Sequence, residues 1–337
     1  MKRFIVYLIL LFSLLPILSQ GLTLPFTGLF WNIENLFDTL NNTTKNDEEF
    51  LPHSLRRWNS YKYYTKINLV AKQLIEIGEW SPPILIGLCE VENELVLNHL
   101  TKHTALKSLN YRFFITESPD PRGINVALLY LRERFKPITH CSIRINPNLN
   151  TRDILHVSGV LLTKDTLDVF VCHFPSRAGG TKNSEYKRAI ASSTLFTYLD
   201  SVSQKRTKFN ALIMGDFNAT VGSKSLRIKK FDPNQSSVKE QLYQTINYSQ
   251  YKKYGSYKYR GIWETIDHVF VSPQLLNPNN SILIDSTTII YSAKLLEEDK
   301  KYGGLQPFRT YNGIKYQGGI SDHLPLLFKG VEKINRE

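Results

Sequence analysis

Six short segments, spread over nearly the whole chain, each carry a residue suited to handling a metal ion or a proton. They are Trp31-Asn32-Ile33-Glu34-Asn35, Leu88-Cys89-Glu90, Val171-Cys172-His173, Met214-Gly215-Asp216-Phe217-Asn218, Thr265-Ile266-Asp267-His268 and Ser321-Asp322-His323. Asn32, Glu90 and Asp322 offer oxygen atoms, the donors preferred by hard divalent ions such as Mg²⁺. His323 gains a defined tautomer and higher basicity if a carboxylate faces it, and Asp267 is the candidate partner. Asp216 and Asn218 are two residues apart, so in an extended segment both face one side. An Asp there can orient or deprotonate water, and an Asn can donate to a phosphoryl oxygen as charge builds up. His173 precedes Phe174-Pro175-Ser176-Arg177-Ala178-Gly179-Gly180, where Arg177 and the glycines can bind phosphate. Taken singly, each residue has an ordinary alternative: a turn for Asn32, a helix-start charge for Glu90, a cap for Asp322.

Most of these segments follow or interrupt apolar, β-branched runs, which read as strands buried in a sheet. Polar residues at the tips of such strands are held rigidly and left accessible. Strands are expected at 28–36, 84–89, 111–116, 126–130, 154–162, 167–172, 211–214, 268–271, 282–290 and 324–328. Helices are expected at 61–77, 92–103 and 185–199. Segment 224–260 is polar, basic and tyrosine-rich, and 300–319 reads as a Gly- and Tyr-rich loop. Elements in this mixed order imply an α/β layered protein.

The chain has 337 residues, 42% of them hydrophobic, enough for one large domain. Lys2-Arg3, an apolar stretch from Phe4 to Leu18 and Ser19-Gln20-Gly21 read as a secretory signal over 1–20, leaving a catalytic domain at 21–337. The apolar run is short of the ~20 residues that a membrane-spanning helix needs. Secretion or periplasmic export is therefore expected. Removing Lys2 and Arg3 takes the formal charge from +12 to +10. That excess favours polyanions such as nucleic acid, phospholipid headgroups or cell-surface polymers. The three cysteines, Cys89, Cys141 and Cys172, lack the spacing of a disulfide scaffold. Cys89 and Cys172 are expected to pack behind the site residues beside them.

As an ordered set, these motifs resemble the endonuclease/exonuclease/phosphatase superfamily, and within it secreted bacterial members that share Asn35-Leu36-Phe37-Asp38 after the first strand. The resemblance implies a deoxyribonuclease I-like, four-layer α/β/β/α sandwich of two mixed β-sheets. It implies Mg²⁺ or Mn²⁺, with Ca²⁺ a further option, and hydrolysis of a phosphoester by in-line attack of water. By motif, it makes Glu90 the main metal ligand, helped by Asn32 and Asp322. Asp216 activates water, Asn218 and His173 contact the phosphate, and His323 with Asp267 holds or protonates the phosphoryl group. The family's further polar residue near the middle strand is assigned to Asn125. The expected substrate is DNA or RNA, handled by a monomer without a stable protein partner. The alternative is a phosphatase or phosphodiesterase acting on phospholipid headgroups or small phosphoesters.

Overall fold

The computed structural model describes residues 21–177, 180–226, 242–245 and 254–334. The signal over 1–20, Ala178-Gly179, and Tyr248 and Tyr251 of the basic tyrosine-rich segment lie outside them. Among the described residues, no helix is long and apolar enough to cross a membrane.

The strands are β1 (Leu22–Leu36), β2 (Leu85–Val91), β3 (Arg112–Ile115), β4 (Asn125–Tyr130), β5 (Phe135–Ile143), β6 (Ile154–Leu161), β7 (Thr166–His173), β8 (Ala211–Asp216) and β9 (Tyr243–Gln244). Then come β10 (Tyr257–Tyr259), β11 (Ile262–Glu264), β12 (Asp267–Val271), β13 (Ile282–Ile289), β14 (Leu296–Glu298), β15 (Leu305–Pro307), β16 (Tyr311–Asn312), β17 (Lys315–Tyr316) and β18 (Leu326–Ile334). The helices are α1 (Ser60–Gly78), α2 (Glu94–Lys102) and α3 (Thr181–Ser203). Asn59 and Asn93 start the first two by accepting from the backbone N–H groups of Lys62 and Val96 at 3.1 and 3.0 Å.

Two six-stranded mixed sheets result, in the orders β13-β18-β1-β2-β4-β3 and β5-β6-β7-β8-β12-β9. They pack face to face. Gly87 permits the close approach, since a Cβ there would fall 2.4 Å from Met214 Sδ on the opposite sheet. Leu195 and Leu199 of α3 pack on the far face of the second sheet, against Phe170, Ile213 and Phe270. Ile67, Val70 and Leu74 of α1 and Val96 and Leu100 of α2 join the core of the first sheet. The architecture is the expected α/β sandwich. Segment 300–319 departs from the loop reading: β15 pairs with β14, and β16 with β17, as short ribbons. Strand β5 was not anticipated. Its outward residues alternate with few buried ones, so the apolar signal is weak.

One buried polar cluster on the second sheet ties α3 down. Asp168 accepts from Arg206 Nε and Nη2 at 2.8 Å each and from His156 Nε2 at 3.0 Å. Burial would raise its carboxyl, but the hydrogen bonds from Arg206 and His156 prevail and hold it at about 2, below the ordinary 3.8. A depressed folded value stabilises the fold above the unfolded value, and the gain disappears as pH falls from 3.8 through about 2. At about 1.4 kcal/mol per unit this is worth roughly 2 kcal/mol. Asp168→Asn is expected to lower stability by that order at pH 7 and to flatten the acid limb between those pH values, as read by urea denaturation across pH. An unchanged acid limb would contradict it.

Candidate active site

The topology brings the site residues to one end of the sandwich. β7 and β8 run parallel, with His173 beside Asp216. β12 runs antiparallel to β8, with Asp267 opposite Asp216. His173, Asp216 and Asp267 thus form one row across three adjacent strands, where neighbouring strands lie about 4.8 Å apart. On the facing sheet, β1 and β2 run parallel and end at Asn32 and Glu90, while β18 begins just after Ser321-Asp322-His323. The ends of the parallel strands and the starts of the antiparallel ones meet.

Local backbone irregularities aim the side chains. Cys89 faces the second sheet and donates from Sγ to the Cys172 carbonyl at 3.3 Å, so plain alternation would turn Glu90 away. The pairing register shifts between Cys89 and Val91, and Glu90 takes φ +63°. This bulge turns the Glu90 carboxylate into the mouth. Glu34, Asn35 and Asn218 also adopt positive φ, at 44°, 50° and 50°. Each non-glycine residue held this way costs on the order of 1 kcal/mol or more, and such strain gathers at functional sites. Cys89 and Cys172 are buried and free, as expected.

At the centre, Asn32 Nδ2 donates to Asp216 Oδ2 at 3.1 Å and to Glu90 Oε1 at 3.3 Å. Glu90 Oε2 accepts from the Asn35 backbone N–H at 2.8 Å. His173 Nε2 lies 3.6 Å from Asp216 Oδ2 and 3.9 Å from Glu90 Oε1. Asp216 Oδ1 accepts from the Asn218 N–H at 2.8 Å, and Asn218 Nδ2 donates to the Phe174 carbonyl at 3.1 Å.

His323 occupies the other side. Its Nδ1 donates to Asp267 Oδ2 at 2.8 Å, and its Nε2 lies 3.8 Å from Asp216 Oδ2. Ser256 Oγ donates to the same Asp267 oxygen at 2.5 Å. Ser321 Oγ donates to the Asn32 carbonyl at 2.6 Å and accepts from the His323 N–H at 3.0 Å, and Trp31 Nε1 donates to the His323 carbonyl at 2.9 Å. The last motif is therefore fixed to the first strand. The Tyr257 ring covers the imidazole, with centroids 4.8 Å apart.

The two histidines are driven in opposite directions. Burial, reinforced by the positive charges of Arg152, Arg122 and His323, keeps His173 neutral, far below the usual imidazole value. Burial also disfavours charge on His323, but Asp267 and Asp216 overcome it and hold the ring protonated well above the usual value. Burial and the charge of Asp267 push the Asp216 carboxyl up, while His323, Asn218 and Asn32 pull it down. Environments that separate titratable groups in this way define acid and base roles. The arrangement can therefore supply both a protonated imidazole and a carboxylate poised to take a proton.

The donor set also fits a divalent cation. Atoms of Asp216, Asp267 and His323 lie within 4.8 Å of one another. Asp267 Oδ2 and His323 Nδ1 are, however, hydrogen-bonded to each other, which spends one possible ligand atom of each. Glu90, beside them on the first sheet, is an oxygen donor at the open side of the cluster and keeps 16% of its side chain exposed, while the Asn32 oxygen accepts from the Glu34 N–H at 3.1 Å. These hard donors suit Mg²⁺ or Mn²⁺ better than a soft metal.

Two expected site residues have other partners. Asn125 Oδ1 accepts from the Ser118 N–H and Nδ2 donates to the Glu92 carbonyl, both at 2.7 Å. Its amide clamps the turn before β4 to the end of β2. Arg177 Nη1 meets both Glu264 carboxylate oxygens at 2.7 and 2.9 Å, and Nε donates to the Asn218 carbonyl at 3.0 Å. It braces the Asp216–Asn218 segment and is ion-paired with Glu264. Asp322 reaches the site's rim, where Arg309 Nη2 donates to its Oδ2 at 3.0 Å.

A network behind the rim was not anticipated. Arg309 also lies 3.2 Å from Glu34 Oε1, and the Thr310 N–H donates to Glu34 Oε2 at 2.8 Å. Buried Lys66 donates to the Glu34 carbonyl and to Thr310 Oγ1. Burial pushes the Lys66 ammonium down and the Glu34 carboxyl up, each partly opposed by the other's charge. One signal was available: a lysine on the apolar face of α1 has to find buried oxygen.

Residues 27–333 match the Endonuclease/Exonuclease/phosphatase family. The chain belongs to that family. Members are phosphoester hydrolases, generally dependent on a divalent metal, and this chain has a buried cluster of Asp216, Asp267 and His323. No curated protein matches it in sequence. Among solved structures it is similar to an endonuclease/exonuclease/phosphatase family protein from Bacteroides thetaiotaomicron, at 15% identity and TM-score 0.58, covering 93% of this chain and 99% of that one. It is similar to the human Nocturnin catalytic domain with bound sulfate, at 18% identity and TM-score 0.56, covering 92% and 97%. It is also similar to a mannosyl-6-phosphatase from Bacteroides thetaiotaomicron, at 14% identity and TM-score 0.56, covering 90% and 99%. At such identities these likenesses establish the fold.

Proposed function

We propose that this family member is an exported, divalent-metal-dependent phosphodiesterase that hydrolyses nucleic acid by in-line attack of water. The observation that carries the reading is the buried Asp267–His323 pair facing Asp216, with the imidazole Nε2 3.8 Å from that carboxylate. Asp216 orients the attacking water and takes its proton. His323, fixed by Asp267, holds the phosphoryl oxygen and supplies charge or a proton as the leaving group departs. Neutral His173 and Asn218 contact the scissile phosphate. Glu90 and Asn32 hold the cation, with Asp322 at its outer side. When bound, Mg²⁺ or Mn²⁺ polarises the phosphoryl oxygen and offsets the charge that develops there.

Export is supported by the basic and apolar stretch over residues 1–18, and a polyanionic substrate by the charge of +10 after its removal. The purified protein is expected to nick plasmid DNA with Mg²⁺, to stop in chelator, and to lose activity in Asp216→Ala. Turnover of sphingomyelin, phosphoinositide or a small phosphoester with DNA and RNA untouched would replace this substrate with the alternative named above. Hydrolysis that persists in chelator would overturn the metal requirement.

A further inference from the structure

A second cleft, with a volume of about 620 Å³, opens beside the site between the three short ribbons β10–β11, β14–β15 and β16–β17. It is continuous with the site through two lining residues. Tyr257 stacks on the His323 ring and its backbone bridges to His323. Arg309 holds Asp322. Tyr257 and Arg309 therefore join the cleft to the His323 and Asp322 side of the site.

The lining carries six cations against three carboxylates. Lys258 is spent on Asp299 at 2.8 Å, and Arg309 on Glu34 and Asp322. Arg260, Lys300, Lys301 and Lys315 have no ion pair among the described residues. Arg260 and Lys301 lie over the rings of Tyr259 and Tyr302, at 5.2 and 5.1 Å from the centroids. Those rings are 52% and 48% exposed. Exposed aromatic rings beside cations without carboxylate partners among the described residues are the groups that base stacking and phosphate neutralisation use. The concave shape suits a threading chain better than a flat bilayer.

We propose that this cleft is a strand subsite, in which Arg260, Lys301 and their neighbours take the phosphates next to the scissile bond and Tyr259 and Tyr302 stack the adjoining bases. It rests on the reading that nucleic acid is the substrate, and names where the strand lies and which residues set the preference for one.

The test compares wild type with Arg260→Glu/Lys301→Glu on a single strand of about 12 nucleotides, within the span such grooves hold, and on bis(p-nitrophenyl) phosphate. The ratio of kcat/KM for the strand to that for the small diester is expected to fall by about tenfold or more. The slope of log affinity against log salt should shrink by about 1.4, because each of the two lost single-strand phosphate contacts removes about 0.7. The conservative pair Arg260→Lys/Lys301→Arg should restore the ratio. An unchanged ratio and slope in the charge-reversed protein would overturn the subsite while leaving the nuclease reading intact. A wild type that hydrolyses the small diester and not the strand would overturn the nuclease reading, and the subsite with it. Loss of binding to phosphatidylserine vesicles with an unchanged strand ratio would make the cleft a lipid surface and overturn the proposal.

Discussion

His323→Ala is expected to lower the rate of a single turnover on a phosphodiester by about 10²- to 10⁴-fold, the range that a positioned proton donor contributes. The imidazole Nδ1 donates to Asp267 Oδ2 at 2.8 Å, and the residue is covered by Tyr257 and tied through its backbone to Ser321 and Trp31. Those constraints fix it against one oxygen of the substrate, and an alanine leaves nothing to replace the charge. Tenfold in rate is about 1.4 kcal/mol, so the loss amounts to roughly 3 to 5 kcal/mol of transition-state stabilisation. Asp267→Asn should fall in the same direction, since an amide no longer favours the imidazolium that Asp267 now stabilises. Stopped-flow or quenched-flow measurement with saturating Mg²⁺ checks this. A rate within a few-fold of wild type in His323→Ala would remove the imidazole from the chemistry.

Glu90→Gln should act on the ion. Glu90 reaches the mouth only because the register shift after Cys89 and its left-handed backbone turn it there, and the Asn35 N–H fixes one oxygen at 2.8 Å. Glutamine keeps the size and removes the charge that a hard cation needs. Mn²⁺ affinity is expected to fall by at least about 10- to 100-fold, the loss seen on removing even a residue that supports a metal ligand from behind. Titration of Mn²⁺ followed by electron paramagnetic resonance reads it directly. Affinity equal to wild type would place the ion elsewhere, among Asp216, Asp267 and His323.

The parts of this site that were legible in the sequence share one physical cause. Buried parallel strands must be apolar, so the polar residues that end them stand out. His173, Asp216 and Asp267 could be found in that way, and the structure sets them in one row across β7, β8 and β12. Asn125 and Arg177 look the same in sequence whether they meet substrate or protein. A short amide beside a turn is free to bond the turn's backbone, which is what Asn125 does. Arg177 finds Glu264, 87 residues further on, and no local pattern announces a pairing at that distance. Arg309 was hidden for the same reason, since Glu34, its partner across the rim, is 275 residues away. The ribbons within 300–319 were hidden by their brevity: strands of two or three residues show no period.

The most direct measurement is kcat for the small diester across a Mg²⁺ series, with wild type, Glu90→Gln and His323→Ala side by side. Rising Mg²⁺ should recover much of the lost rate in Glu90→Gln and almost none in His323→Ala, because one side chain holds the cation and the other the phosphoryl group. Full recovery of both variants at high Mg²⁺ would contradict that division of labour.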